Sequence, residues 1–163
     1  MTSAADLYGR YAHLYDDGRA DEFASLFTAD ALFTVVGREP VRGRTAIAEA
    51  ARRGVATLPG VRHLISSVAI DTAPDGATAT GRAYVQAVQV DGDSVRLVTL
   101  GRYTDRLVLH DGRWLIADHR YEPFSGEPAR HAVRLLRPEL LGNGGSVQSA
   151  VCPPSIRCSA PVM

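Results

Sequence analysis

The sequence predicts an α+β fold: a curved antiparallel sheet wrapped by three N-terminal helices, forming a cone around an inward-facing pocket. Three observations carry this. Helical apolar spacing is confined to the stretch that ends near Gly54. Four long strand-like runs then follow, beginning at Val61, Thr78, Val95 and Trp114. The turns between these runs are Pro74-Asp75-Gly76, Asp91-Gly92-Asp93 and His110-Asp111-Gly112, and Asp-Gly is the dipeptide that a tight hairpin favours.

Residues 3–17 read as the first helix, with Ser3 as cap and Asp6 in the first turn. Leu7, Tyr11, Leu14 and Tyr15 make its apolar stripe, and Gly18 stops it. A second helix is expected at about 20–28, burying Phe23, Leu26 and Phe27. Ala31 to Val36 is strand-like, and Gly37-Arg38-Glu39-Pro40 turns the chain into a short return strand. Thr45 opens a third helix with Ala46, Ile47 and Ala50 on its apolar side. The runs Val61–Ile70, Thr78–Val90, Val95–Leu109 and Trp114–Tyr121 then form an antiparallel meander, with Gly81 and Gly101 as bend sites.

Residues 1–124 are thus expected to be one cone domain, 125–141 a short helical extension restricted by Pro138, and 142–163 a flexible Gly/Ser/Pro/Cys tail. The balance of 18 basic and 18 acidic residues leaves zero net charge, which gives no footing for nucleic acid or an anionic membrane. All the basic side chains are arginine. No apolar run approaches a membrane span and the first residues do not read as a signal peptide, so the expected location is cytoplasmic. His13, His110 and His131 lack the spacing of a metal site, and neither H-x-x-x-H nor C-x-x-C occurs. No cofactor or metal is expected.

Further marks are Tyr11-Ala12-His13-Leu14-Tyr15-Asp16-Asp17-Gly18, Leu26-Phe27-Thr28-Ala29-Asp30-Ala31, Gly43-Arg44-Thr45-Ala46-Ile47, Arg62-His63-Leu64, Gly101-Arg102-Tyr103-Thr104-Asp105-Arg106-Leu107 and Trp114-Leu115-Ile116-Ala117-Asp118-His119-Arg120. With that element order, the chain resembles the nuclear transport factor 2-like (cystatin-like) superfamily over residues 5 to about 122. Within it, the chain is similar to the SnoaL-like branch that resembles scytalone dehydratase and the bile-acid 7α-dehydratases. The superfamily hosts dehydratases, isomerases, cyclases, hydrolases and non-enzymes, so the resemblance speaks for fold before chemistry. It implies a site made of Tyr11, Asp16 and His63, a basic group at Arg120, and pairing of two copies through the outer sheet face.

Residue by residue the readings are these. His63 shares a strand face with Val61 and Ile65, and is either a general base or a hydrogen-bonded structural histidine. Tyr11 lies on the apolar stripe, as a core aromatic or as a donor to a carbonyl oxygen. Asp16 falls about 140° around the helix from Tyr11, which periodicity reads as solvated; only the resemblance turns it inward. Arg120 shares strand parity with Trp114, Ile116 and Asp118 and would bind a substrate oxyanion or pair internally, whereas His119 faces the other way as a structural residue. Phe33, Val35, Ile65, Tyr84 and Trp114 would line a pocket for a polyketide- or steroid-like substrate.

Two functions follow. The first is a cofactor-free dehydratase or isomerase of bacterial secondary metabolism, in which His63 removes a proton α to a carbonyl, Asp16 orients it and Tyr11 serves the oxygen. The second is a precursor of a ribosomally made, modified peptide. There the cone would be an oversized leader docking modifying enzymes and a protease, and residues 146–163 the product. Leu140-Leu141-Gly142-Asn143-Gly144-Gly145 resembles a leader cleavage site, and Ser146, Ser149, Ser155 and Ser159 could be joined to Cys152 and Cys158 as thioethers.

Overall fold

The computed structural model describes residues 3–124. The expected helical extension, the tail and its serines and cysteines lie outside the described residues. Helix α1 (Asp6–Asp16) begins with a reciprocal pair: the Ser3 N–H donates to Asp6 Oδ2 at 2.8 Å, and the Asp6 N–H to Ser3 Oγ at 3.3 Å. This satisfies amides that a helix start leaves open. The helix buries Leu7, Tyr8, Tyr11 and Leu14, and ends where Gly18 takes φ +71° and the Arg19 N–H reaches the Leu14 carbonyl.

Helix α2 (Ala20–Ala24) is shorter than its sequence suggests, because strand β1 (Phe27–Val35) starts at Phe27. The Ile116 N–H donates to the Leu26 carbonyl at 2.9 Å, and Phe27 pairs with Ile116, so a distant strand takes over two residues the helix would have used. Strand β2 (Val41–Arg42) leads to helix α3 (Arg44–Thr57), followed by β3 (Val61–Thr72), β4 (Thr78–Asp91), β5 (Ser94–His110) and β6 (Arg113–Pro123). Helix α3 runs past Gly54, where a side chain would strike the Tyr15 hydroxyl. There the glycine serves close helix packing, not helix termination.

The six strands lie in the order β2-β1-β6-β5-β4-β3. Neighbours are antiparallel except β1 and β6, which are parallel, so the sequence-expected meander holds for β3 to β6 and gains a parallel partner at its β6 side. Register shifts coil the sheet at four places: between Phe27 and Leu32, between Ser66 and Ala69, where Ser67 has φ 51°, beside Ala87 and Val88, and at Ala117 of β6. Strand β4 alternates small buried residues (Ala79, Gly81, Ala83, Val85, Ala87) with exposed ones. The small row lets α1 lie close: a side chain on Gly81 would meet the Tyr8 hydroxyl.

Gly101 marks a second close approach. A Cβ there would sit 2.4 Å from the Glu122 carbonyl oxygen, a backbone atom that cannot swing aside. Gly101→Ala is therefore expected to destabilise by about 1–3 kcal/mol, the usual cost of forcing atoms into a filled site. A thermal melt at or above the wild-type temperature would overturn this account. No helix among the described residues is long and apolar enough to cross a membrane.

Candidate active site

Two Asp–His pairs occupy the interior of the cone. In the first, Asp16 at the end of α1 meets His63 near the start of β3. Asp16 Oδ2 accepts the His63 backbone N–H at 2.7 Å, and Oδ1 lies 2.6 Å from His63 Nδ1. A carboxylate offers only acceptors, so Nδ1 carries the hydrogen and Nε2 is the nitrogen left for other work. The pair is mostly enclosed, with 15 % of the His63 side chain and 7 % of the Asp16 side chain exposed. Angular counting along α1 places Asp16 in solvent because it assumes the partner lies along the helix flank. Strand β3 instead passes the helix end, where Arg62 Nη1 also donates to the Asp16 carbonyl. The Tyr15 ring stands edge-on to His63, 5.0 Å between centroids.

The second pair is deeper. Asp105 of β5 and His119 of β6 are 2 % and 1 % exposed, with Oδ1 2.7 Å from Nδ1. The Tyr8 hydroxyl donates to Asp105 Oδ2 at 2.6 Å, and His119 Nε2 lies 3.4 Å from the Tyr11 hydroxyl. Phe33 stacks on the His119 ring at 4.8 Å, and Tyr103 packs against it at 4.6 Å.

Several expectations are corrected here. His119 faces inward and Arg120 is exposed, the reverse of their sequence parity. Ile116 pairs with Leu107 and Asp118 with Arg106, so Ala117 is an extra residue that flips every later side chain of β6. Arg120 is thereby removed from the interior. Tyr84 lies on the outer sheet face, half-exposed and edge-on to Phe124. The inner row of β4 must stay small beneath α1, which leaves the outer row for its ring. Trp114 packs against the core at the other end of β6, beside Ser3, Leu7 and Arg10 at the start of α1. Five residues of strand, about 16 Å, separate it from His119. Phe33 remains inside, against His119. Tyr11 does not join Asp16 and His63 directly: its hydroxyl faces His119 and Tyr103, and the Tyr15 ring lies between, stacked on Tyr11 at 6.4 Å.

Sequence reasoning gives Tyr8 and Asp105 no role in the site and reads His119 as a structural residue turned the other way. One signal was legible. Tyr103, Asp105 and Leu107 share a face opposite Arg102, Thr104 and Arg106, and a lone carboxylate in an apolar row needs a buried partner. A surface hollow of about 480 Å³ lies elsewhere, between the end of β2 and the start of α3 (Arg42, Arg44 and Glu49 among its lining), away from both pairs. Among the described residues no cluster of His, Cys, Asp and Glu has the makings of a metal site.

Burial pushes the phenols of Tyr8, Tyr11 and Tyr103 far above the ordinary tyrosine range, with the Asp105 charge adding to each. These hydroxyls therefore stay protonated as donors throughout the working pH range. A folded-state value above the unfolded one means that their contribution is complete below the unfolded value of about 10 and fades as pH rises beyond it. The protein is expected to lose stability steeply in alkali, and Tyr11→Phe to flatten that slope. Chemical denaturation across the alkaline range checks this; identical slopes for both proteins would refute it.

The SnoaL-like domain model matches residues 1–120. No curated protein matches the chain in sequence. Among solved structures, it is similar to Rv3472 of Mycobacterium tuberculosis, a protein of unknown function, at 29 % identity and TM-score 0.67, over 73 % of this chain and 68 % of that one. A candidate aromatic ring hydroxylase from Novosphingobium aromaticivorans is 27 % identical, TM-score 0.65, over 74 % and 86 %. A candidate scytalone dehydratase from the same organism, 22 % identical with TM-score 0.65 over 82 % and 91 %, shares the fold.

Proposed function

Because the chain belongs to the SnoaL-like family, we propose that it is a small-molecule enzyme, a dehydratase or isomerase that moves protons next to a carbonyl. The observation that carries this is the Asp16–His63 pair, whose geometry leaves Nε2 as an oriented base at a partly exposed position. His63 takes the proton α to the carbonyl; Asp16 holds the ring in the needed tautomer and offsets the positive charge that forms on it. Tyr11, a phenol kept protonated by burial, donates to the oxygen on which negative charge develops. Side chains and substrate supply every proton in this scheme. The aromatic lining of Tyr15, Phe33 and Tyr103 suits a planar, largely apolar substrate. The names carried by two of the similar structures, a dehydratase and a ring hydroxylase, support a ring-bearing substrate.

The test is proton exchange, which needs no knowledge of the natural substrate. In deuterated water, a panel of cyclic ketones beginning with 2-tetralone is expected to take up deuterium at the α carbon faster with the protein than with buffer. His63→Gln is expected to lower that rate by ~10²–10⁴-fold. Exchange that is equal in wild type and His63→Gln across the panel would overturn the proposal.

A further inference from the structure

We propose that Tyr8, Asp105 and His119 form a second acid–base chain that serves the substrate's oxygen through Tyr11, while Asp16 and His63 serve its carbon. The inference deepens the proposed function and rests on it. The first support is direction. Asp105 accepts from the Tyr8 hydroxyl on one oxygen and from His119 Nδ1 on the other, so the carboxylate end of the chain has one polarity. His119 is thereby held with Nε2 toward the Tyr11 oxygen, at 3.4 Å. Tyr11 is the link between this chain and the side where His63 lies, since its ring stacks on Tyr15 and Tyr15 touches His63.

The second support is charge. Asp105 is sealed from water, and the arginines nearest in sequence are turned to the outer face, where Arg102 pairs with Glu122 and Arg106 is exposed. Among the described residues, His119 is the group in contact with Asp105 that can carry positive charge. With Asp105 as a carboxylate, a proton on each ring nitrogen of His119 balances the buried charge, and that form is an acid aimed at Tyr11.

The third support is cost. A Tyr–Asp–His–Tyr chain in the centre of an aromatic core gains little stability over apolar residues of the same volume, although none of its buried polar atoms lacks a partner. Its presence is better explained by proton transfer than by packing.

The step balances. The Cα–H bond breaks as His63 Nε2 gains the proton. The Tyr11 O–H bond breaks as a bond forms from that hydrogen to the carbonyl oxygen. His119 Nε2 passes its proton to Tyr11. The ketone becomes its enol, and one positive charge has moved from His119 to His63, with no net change in the site. Ketonisation at another carbon reverses each transfer and restores both histidines. The substrate class is then a carbonyl compound whose oxygen lies on the β5–β6 side and whose acidic C–H lies on the β3 side. Tyr8 and Asp105 are positioning residues, acting through His119.

The test uses the full chain labelled with ¹⁵N, together with 2-tetralone exchange. Two-bond ¹H–¹⁵N spectra near neutral pH are expected to show both ring nitrogens of His119 protonated. Asp105→Asn is expected to remove that signature and to slow exchange by ~10²-fold. Tyr8→Phe, which keeps ring and volume, is expected to shift the His119 nitrogens and displace the limb of the pH–rate profile that reports the acid, with KM nearly unchanged. That is a readout packing alone does not move, and it stands if Asp105→Asn fails to fold. Wild-type His119 signals and pH profile in Tyr8→Phe, alongside slowed exchange in His63→Gln, would overturn the second chain and leave the proposed function standing. Exchange insensitive to His63 would overturn the function itself, and the mechanism of this chain with it, whatever the His119 signals show.

Discussion

Asp16→Asn is expected to slow His63-dependent exchange by ~10²–10⁴-fold, nearly as much as loss of the imidazole. In the native protein both carboxylate oxygens accept from His63, one from its backbone N–H and one from Nδ1. An amide keeps one acceptor and turns the other position into a donor. If the amide oxygen takes the backbone N–H, its NH₂ faces Nδ1 and drives the hydrogen to Nε2, which removes the base. If the amide flips, two donors meet at the backbone N–H. The stability cost is that of one charge-assisted hydrogen bond, about 1–3 kcal/mol. A variant that melts slightly earlier yet exchanges deuterium at the wild-type rate would show that Asp16 only anchors the end of α1.

Phe27→Ala carries the largest expected effect on stability. Phe27 is fully buried, with ring centroids 5.2 Å from Phe23, 6.0 Å from Phe33, 6.3 Å from His119 and 6.4 Å from Tyr11. It also lies at the seam where β1 meets β6. Removing the ring forfeits its transfer energy and leaves a cavity that helices on one side and a hydrogen-bonded strand on the other cannot close. The expected loss is about 3–5 kcal/mol, a large part of the ~5–15 kcal/mol that holds a typical domain. Denaturant titration measures it. A loss below about 1 kcal/mol would mean that the aromatic cluster is not the core.

The comparison of sequence and structure separates along the reach of the interactions. The hairpins were legible because Asp111-Gly112 and its counterparts specify positive φ locally, and Gly76, Gly92 and Gly112 adopt it. The inward direction of His63 was legible because Val61 and Ile65 flank it in a regular stretch of β3. The same parity count failed on β6, where one extra residue at Ala117 exchanged His119 for Arg120. On β4 the alternating small residues reserve the inner face for α1, so the ring of Tyr84 lies on the outer face and not in the pocket lining the sequence suggests.

Taken by itself, the sequence determined the α+β cone, the order of its helices and strands, the turns, and the candidacy of Tyr11, Asp16 and His63, the last with the help of family resemblance. Tertiary structure alone decided which groups pair. It ended α2 early by giving Leu26 and Phe27 to β6. It brought the end of α1 against β3, so that Asp16 meets His63 across 47 residues of chain. It used a bulge to turn His119 toward Asp105 and gave Tyr11 to that pair. Turns and periodicity are written in neighbours a few residues apart. A bulge, a strand crossing a helix end and a buried polar chain are satisfied only when distant strands and helices pack, and no local pattern encodes that.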